Sequence, residues 1–273
     1  MIGTYDSSIK LKQISIEEVE DNLFFKKLIL VMERVYQSIG DINKNDYSLL
    51  EHMSPNEAYI NDIFMMCRSL ESCLKAIDYA TLFISRYGTK DYKQKTFVPF
   101  DEFCLYHYDV ICHKVATLKD LYFKLINKVY RLNLMRTTWK EIEKHKGKIN
   151  NEQLFSILCD NFSLMDDLEK KRHKSSHDGD ISMSILNDIS LYLMVSSLQG
   201  KVPTIESDWR YNKDSILYRN KIKQAKNKVL EELDIVKYNA FEITKCFMCS
   251  LSSQFENLLT ELFPHRKFEE LRC

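Results

Sequence analysis

Glycine and proline are scarce in this chain: its 273 residues hold 6 Gly and 4 Pro, where a typical domain has roughly 12% of the two together. Sandwiches, barrels and doubly wound sheets need a turn every ten residues or so, and this supply of turn residues excludes them. No charge of one sign predominates, with 39 Lys plus Arg against 39 Asp plus Glu. A general polyanion coat needs a basic excess, so any nucleic-acid contact must come from a local patch. Long apolar runs are missing too. Leu28–Met32 and Leu191–Val195 hold five residues each, whereas a spanning helix needs ~20. The start, MIGTYDSSIKLKQ, lacks the apolar centre of a signal peptide. These absences predict a soluble, cytoplasmic protein with no membrane partner.

Several kinds of chemistry are also without their residues. The eight cysteines (Cys67, Cys73, Cys104, Cys112, Cys159, Cys246, Cys249 and Cys273) show no framework spacing. Most lie in apolar helical stretches and read as buried thiols. Cys246 and Cys249 form a CxxC without a second pair, and a zinc site needs four ligands. There is no GxxxxGK or GxGxxG phosphate loop, no HExxH and no GxSxG. No His follows an acid by three residues, so the ExxH pairs of a di-iron bundle are absent. The sequence calls for no cofactor and no metal.

What is present is helical punctuation. Ser15 with Glu18 makes a capping box for a helix from about Ile16 to Ile39, closed by Gly40. Ser54, Pro55 and Glu57 open a second helix, which Gly88 closes. After a polar loop (Thr89 to Thr96), Pro99 opens a third that ends near Leu134. Thr137 or Thr138 starts a short helix stopping at Lys146-Gly147. Asn150 or Asn151 caps a fourth long helix with the stripe Phe155, Leu158, Phe162, Met165, Leu168, and Gly179 is its expected stop. Asp180 or Ser182 starts another to about Leu198, a loop spans Gly200 to Tyr211, and a last helix runs from about Asp214 to Phe263. The sum is an all-α, up-and-down bundle of long helices. Residues 1–98 form N-terminal helices of no assigned role packed on the bundle, and residues 99–273 form the bundle itself.

Polar interest collects in one string, Glu169 to Asp178 (EKKRHKSSHD). Arg172 and His177 make an Arg-x4-His pair. A guanidinium is a permanent, planar cation that suits a phosphate, and an imidazole exchanges a proton near neutral pH. Together they can cleave RNA without a metal: His177 removes the ribose 2′-hydroxyl proton or protonates the leaving oxygen, and Arg172 holds the phosphate as its charge rises. A second possibility makes His173 and His177, four apart, metal ligands, but two ligands do not make a site. A third takes His177-Asp178 as the dipeptide of helical metal-dependent phosphohydrolases, with His145 and Asp180 or Asp188 recruited. Lys174-Ser175-Ser176 stands where that motif has apolar residues. Against all three stands a polar, basic helix end in water. Chance alone supplies ~0.8 Arg–His pairs of such spacing per chain of this composition, so position has to decide. Arg172 is the next step of the apolar stripe. Burying a guanidinium without a counter-charge is costly; Glu169 one turn back, or an anionic ligand, would answer it. On an unbroken helix His177 lies about 140° around from Arg172, so the helix must end or bend between them, at Ser175, Ser176 or Gly179, for the two to converge.

RHKSSH resembles the Rx4-6H motif of the HEPN superfamily, with His173 at the place after the Arg where that family has Asn, Asp or His. The resemblance covers about the C-terminal two thirds. It implies a HEPN-like bundle and a metal-independent endoribonuclease acting in defence, stress response or RNA processing. It also implies a homodimer that brings two motifs into one cleft. Arg172 and His177 would be catalytic, with His173 as polar assistant and Glu169, Ser175 and Ser176 in support. A cognate antitoxin or inhibitor is a possible partner. Some members only bind RNA, nucleotides or a partner protein, which is the alternative from another class. Two basic clusters bear on RNA: Arg136, Lys140, Lys144, Lys146 and Lys148, and Arg210, Lys213, Arg219, Lys221, Lys223, Lys226 and Lys228. For each, a solvated helix face balanced by nearby acids is the competing explanation.

Overall fold

A computed structural model describes residues 15–40, 49–88, 98–178 and 216–264, with the single positions 183, 186, 189 and 194. Its regular elements are all helical, and no strand occurs among the described residues. They are α1 (Ile16–Glu20), α2 (Leu23–Gly40), a 3-10 turn (Leu49–His52), α3 (Pro55–Arg86), α4 (Phe100–Val129), α5 (Trp139–Lys144), α6 (Lys146–Ile149), α7 (Glu152–Asp178) and α8 (Ile216–Leu262). Among the described residues no helix is long and apolar enough to cross a membrane.

The start signals work as the sequence predicts. Ser15 Oγ accepts from the Glu18 amide at 3.3 Å. Ser54 and Glu57 close a reciprocal box: the Glu57 amide donates to Ser54 Oγ (3.3 Å) and the Ser54 amide to Glu57 Oε2 (3.0 Å). Thr138 caps α5, and Asn151 caps α7 through the Leu154 amide at 2.9 Å. The stops differ in three places. The predicted first helix is broken at Asp21–Asn22, because the Asn22 side chain donates to the Val19 carbonyl and accepts from the Phe25 amide at 2.9 Å. That side chain ends α1 and caps α2 at once. The third predicted helix stops at Val129, five residues short of Leu134. Asn127 clips the following loop with two bonds to the Leu134 backbone (3.0 and 3.2 Å), and Arg131 and Asn133 take positive φ of 48° and 54°. Gly147 does not end the short helix but lies within α6, which Asn150 stops in the left-handed region at φ 43°. Short polar side chains tolerate that region.

The chain divides into two compact units. Unit 1 is Met1–Leu74, Thr117–Met165 and Asn239–Cys273; unit 2 is Lys75–Ala116 and Asp166–Tyr238. Each unit takes residues from both sides of position 98, and the loop 89–97 lies outside the described residues. In unit 1 the buried stripes are Phe24, Leu28 and Val35 of α2, Ile60 and Ile63 of α3, Tyr122 and Ile126 of α4, and Phe247, Leu251 and Phe255 of α8. Phe24 stacks on Phe255 and Tyr122 on Phe247, both at 4.5 Å between centroids. Full burial of one such side chain is worth about 1.5–3 kcal/mol and an exposed ion pair at most about 1, so the stripes hold the unit. The hydroxyl of Tyr122, fully buried, donates to Thr244 Oγ1 at 2.7 Å, and Thr244 donates in turn to the Ala240 carbonyl.

Unit 2 buries Ile77 and Ile84 of α3, Phe100, Cys104, Tyr108 and Ile111 of α4, Leu168 of α7, and Ile222, Val229 and Leu233 of α8. Its helix directions follow from contacts. Tyr87 meets Phe103 and Phe83 meets His107, so α3 and α4 run antiparallel. Lys226 reaches the Ser85 and Tyr87 carbonyls while Lys237 pairs with Asp78, so α8 also opposes α3. The helix expected between 180 and 198 lies mostly outside the described residues. Met183, Leu186 and Ile189 are buried at three-residue steps.

Candidate anion site at the end of helix α7

The Asn151 cap fixes where α7 starts, and its stripe fixes how it is turned. Phe155, Leu158, Met165 and Leu168 are buried, at 1–6% exposure. Arg172 continues that line but is only half-buried. Its Nη2 lies 3.2 Å from His173 Nε2. A guanidinium can only donate, so Nε2 is the acceptor in that contact. Glu169 Oε1 stands 3.8 Å from the same Nε2, beyond hydrogen-bond distance. Among the described residues no carboxylate pairs with Arg172. The expected counter-charge, Glu169, answers His173 instead.

Helix α7 is continuous through Asp178. The end expected between Arg172 and His177 therefore does not occur: Asp178 is the last described residue of the helix, and the expected stop at Gly179 lies outside the described residues. Helical register then sorts the motif into two faces. At about 100° per residue, Glu169, His173 and His177 follow one line at steps of four. Arg172 and Ser176 follow another, and Ser175 flanks it. His177 is thus about 140° around from Arg172. Within one chain the structure brings together Arg172, His173 and Glu169, and register sets His177 on the Glu169 side. Ser175 and Ser176 lie on the helical backbone.

His173 and His177 share a line on α7. Glu169 could not complete their set, since 169 and 177 are about 12 Å apart along the axis and ligands sit ~2 Å from a zinc. Among the described residues no group of three or more His, Cys, Asp or Glu gathers. His145 lies in unit 1 with its Nδ1 2.9 Å from the Glu141 carbonyl, whereas His177-Asp178 closes α7 in unit 2. Asp180 and Asp188 lie outside the described residues. Of the cysteines, Cys67, Cys73, Cys104 and Cys112 are buried, Cys159 and Cys249 are exposed, and Cys246 is half-buried. Burial pushes the Cys104 and Cys112 thiols up to about 12, which keeps them protonated and inert.

The residue that anchors this stretch is one the sequence reading passed over. Lys171 Nζ donates to the Tyr108 hydroxyl at 2.5 Å and sits 5.1 Å from its ring centroid. The Tyr108 hydroxyl in turn donates to Glu232 Oε1 at 3.3 Å, and Lys171 lies 3.7 Å from that carboxylate. One relay so ties α7 to α4 and α8, at the turn that presents Arg172. Burial, with Cys112 and Glu232 nearby, pushes the Tyr108 phenol far above its ordinary range, so it remains a donor. The usable signal was Tyr108 itself, a hydroxyl in an apolar stripe that needs a partner. Its partners, 63 and 124 positions away, could not be read from spacing. Comparison with family models, with curated proteins and with solved structures found no match.

Proposed function

We propose that the chain is a metal-independent endoribonuclease of HEPN type, an up-and-down helical bundle working as a homodimer through Arg172, His173 and His177. The observation that carries this is the state of Arg172. It is a half-buried cation at the end of an apolar stripe, in contact with the His173 imidazole and with no carboxylate among the described residues. A phosphate oxygen supplies the charge that is wanting there. Because register separates His177 from Arg172 on one helix, the working pair is Arg172 of one copy and His177 of the other. His177 takes the 2′-hydroxyl proton, the 2′-oxygen attacks phosphorus, and the bond to the 5′-oxygen breaks. That oxygen leaves with a proton from water, and the other fragment ends in a 2′,3′-cyclic phosphate. Arg172 holds the phosphate as its charge rises, and His173 keeps the guanidinium aimed.

The test is RNA cleavage in EDTA by the full chain, Arg172→Ala and His177→Ala. The expected result is cleavage by the parent and a loss of 10²-fold or more in each variant. Cleavage that needs a divalent metal favours the His-Asp phosphohydrolase, and cleavage untouched by either substitution removes the site. The second reading is a non-catalytic module that binds RNA, a nucleotide or a partner protein. The unbroken α7 favours it, since a lone subunit then offers a cation without an aligned base. It requires binding without cleavage under any condition.

A further inference from the structure

Residues 216–230, the first third of α8, contain five cations and not one acid, in a chain whose charges balance overall. The structure sorts the five. Lys226 is consumed in the fold: its Nζ donates to the carbonyls of Ser85 (3.2 Å) and Tyr87 (3.3 Å) at the end of α3. Arg219, Lys221, Lys223 and Lys228 are exposed. Among the described residues no carboxylate meets Lys221, Lys223 or Lys228, whereas Lys128 meets Asp62, Lys144 meets Glu141 and Lys237 meets Asp78. Among the described residues these three therefore lack the carboxylate partner that the ordinary explanation of a basic helix face calls for; the nearest acid along the helix is exposed Glu231, one turn beyond Lys228.

Their register gives the face a shape. At about 100° per residue, Arg219 and Lys223 form one flank and Lys221 and Lys228 the other. Between them runs a ridge of Asn220, Gln224 and Asn227, all exposed. The apolar side, Ile222, Ala225 and Val229, is 0–4% exposed and packed inside unit 2. A membrane-lying helix needs that side outward. What is outward here is two rows of cations that together span about 14 Å of the helix, with amides between them that can donate and accept. We propose that this face of α8 binds the sugar–phosphate backbone of single-stranded RNA, with Lys221, Lys223 and Lys228 making the phosphate contacts. The choice of RNA rests on the function proposed above; the polyanion character of the face does not.

The test measures binding of a fluorescein-labelled 20-nucleotide oligo(U) by anisotropy, at several salt concentrations in EDTA. It uses the full chain carrying Arg172→Ala and His177→Ala, so that nothing is cut. Adding Lys221→Gln, Lys223→Gln and Lys228→Gln keeps helix propensity. It should lower the salt slope by about 2 and weaken binding about 100-fold at 0.1 M salt, at ~0.7 in the slope per cation. The rival basic cluster is the charge-matched control: Arg136→Gln, Lys140→Gln and Lys146→Gln should leave binding within about threefold. Equal weakening by both sets, or none by the α8 set, overturns the proposal. So does binding of phosphatidylserine vesicles in place of RNA, for which exposed Ile216 and Leu217 would be the anchor. Face-dependent binding by a protein that never cleaves leaves this inference standing and removes the nuclease. Cleavage indifferent to the face does the reverse.

Discussion

Asn151 shows how much one side chain can settle. Its Oδ1 caps α7, while its Nδ2 donates to the Tyr130 hydroxyl at 3.0 Å and the Ser250 carbonyl at 2.9 Å. Asn151→Ala removes a cap and strands two partly buried acceptors. The expected cost is about 2 kcal/mol, read as a lower urea midpoint at unchanged slope; a change under about 0.5 kcal/mol would show that water replaces it. His107 is the second informative residue. It sits among Phe103 (4.5 Å), Tyr106 (5.2 Å) and Phe83 (5.5 Å), and burial holds its imidazole below the usual range. The unfolded chain then binds more protons than the folded one between that lowered value and about 6.5. The stability from the neutral ring is whole above 6.5 and is lost as pH falls through 6.5 towards the folded value. The parent should therefore lose more stability than His107→Gln between pH 7.5 and 5, and equal losses would contradict the neutral ring.

At the scale of elements, the capped starts were readable, as was the stop at Gly40, and several other boundaries were not. Ser15, Ser54, Thr138 and Asn151 each act through their own side chain on an amide three positions ahead, so spacing alone exposes them. The breaks at Asn22 and after Val129 depend on asparagines that bond backwards or seven positions on, and no periodicity marks those. Helix α7 carries the residues of the proposed site. If it works as a continuous rod, Ser175→Ala with Ser176→Ala should help it, by about 0.5 kcal/mol each from helix propensity. Cleavage should stay within about twofold. A higher thermal midpoint with lost cleavage would mean that the site needs a bend the rod lacks.

For the molecule as a whole, the proposed homodimer turns the 140° between Arg172 and His177 into a prediction about subunits. Mixing Arg172→Ala protein with His177→Ala protein should restore cleavage that neither has alone. Half of randomly exchanged two-fold dimers are mixed and each holds one intact cross-subunit pair, so about a quarter of the parent rate returns. No recovery after exchange, shown by light scattering on dimers, would place the pair within one chain or nowhere.

Composition and local spacing determined that this protein is helical and where its capped helices begin, at Ile16, Pro55, Trp139 and Glu152. Those are matters of turn supply, caps and periodicity, all expressed within a few positions of chain. Only tertiary structure decided that Lys171 anchors to Tyr108 and Glu232, that Lys226 is consumed by carbonyls of α3, and that Lys221, Lys223 and Lys228 stand without carboxylates among the described residues. A cation's role depends on which groups packing brings within 3 or 4 Å, and those partners come from parts of the chain that local spacing cannot join.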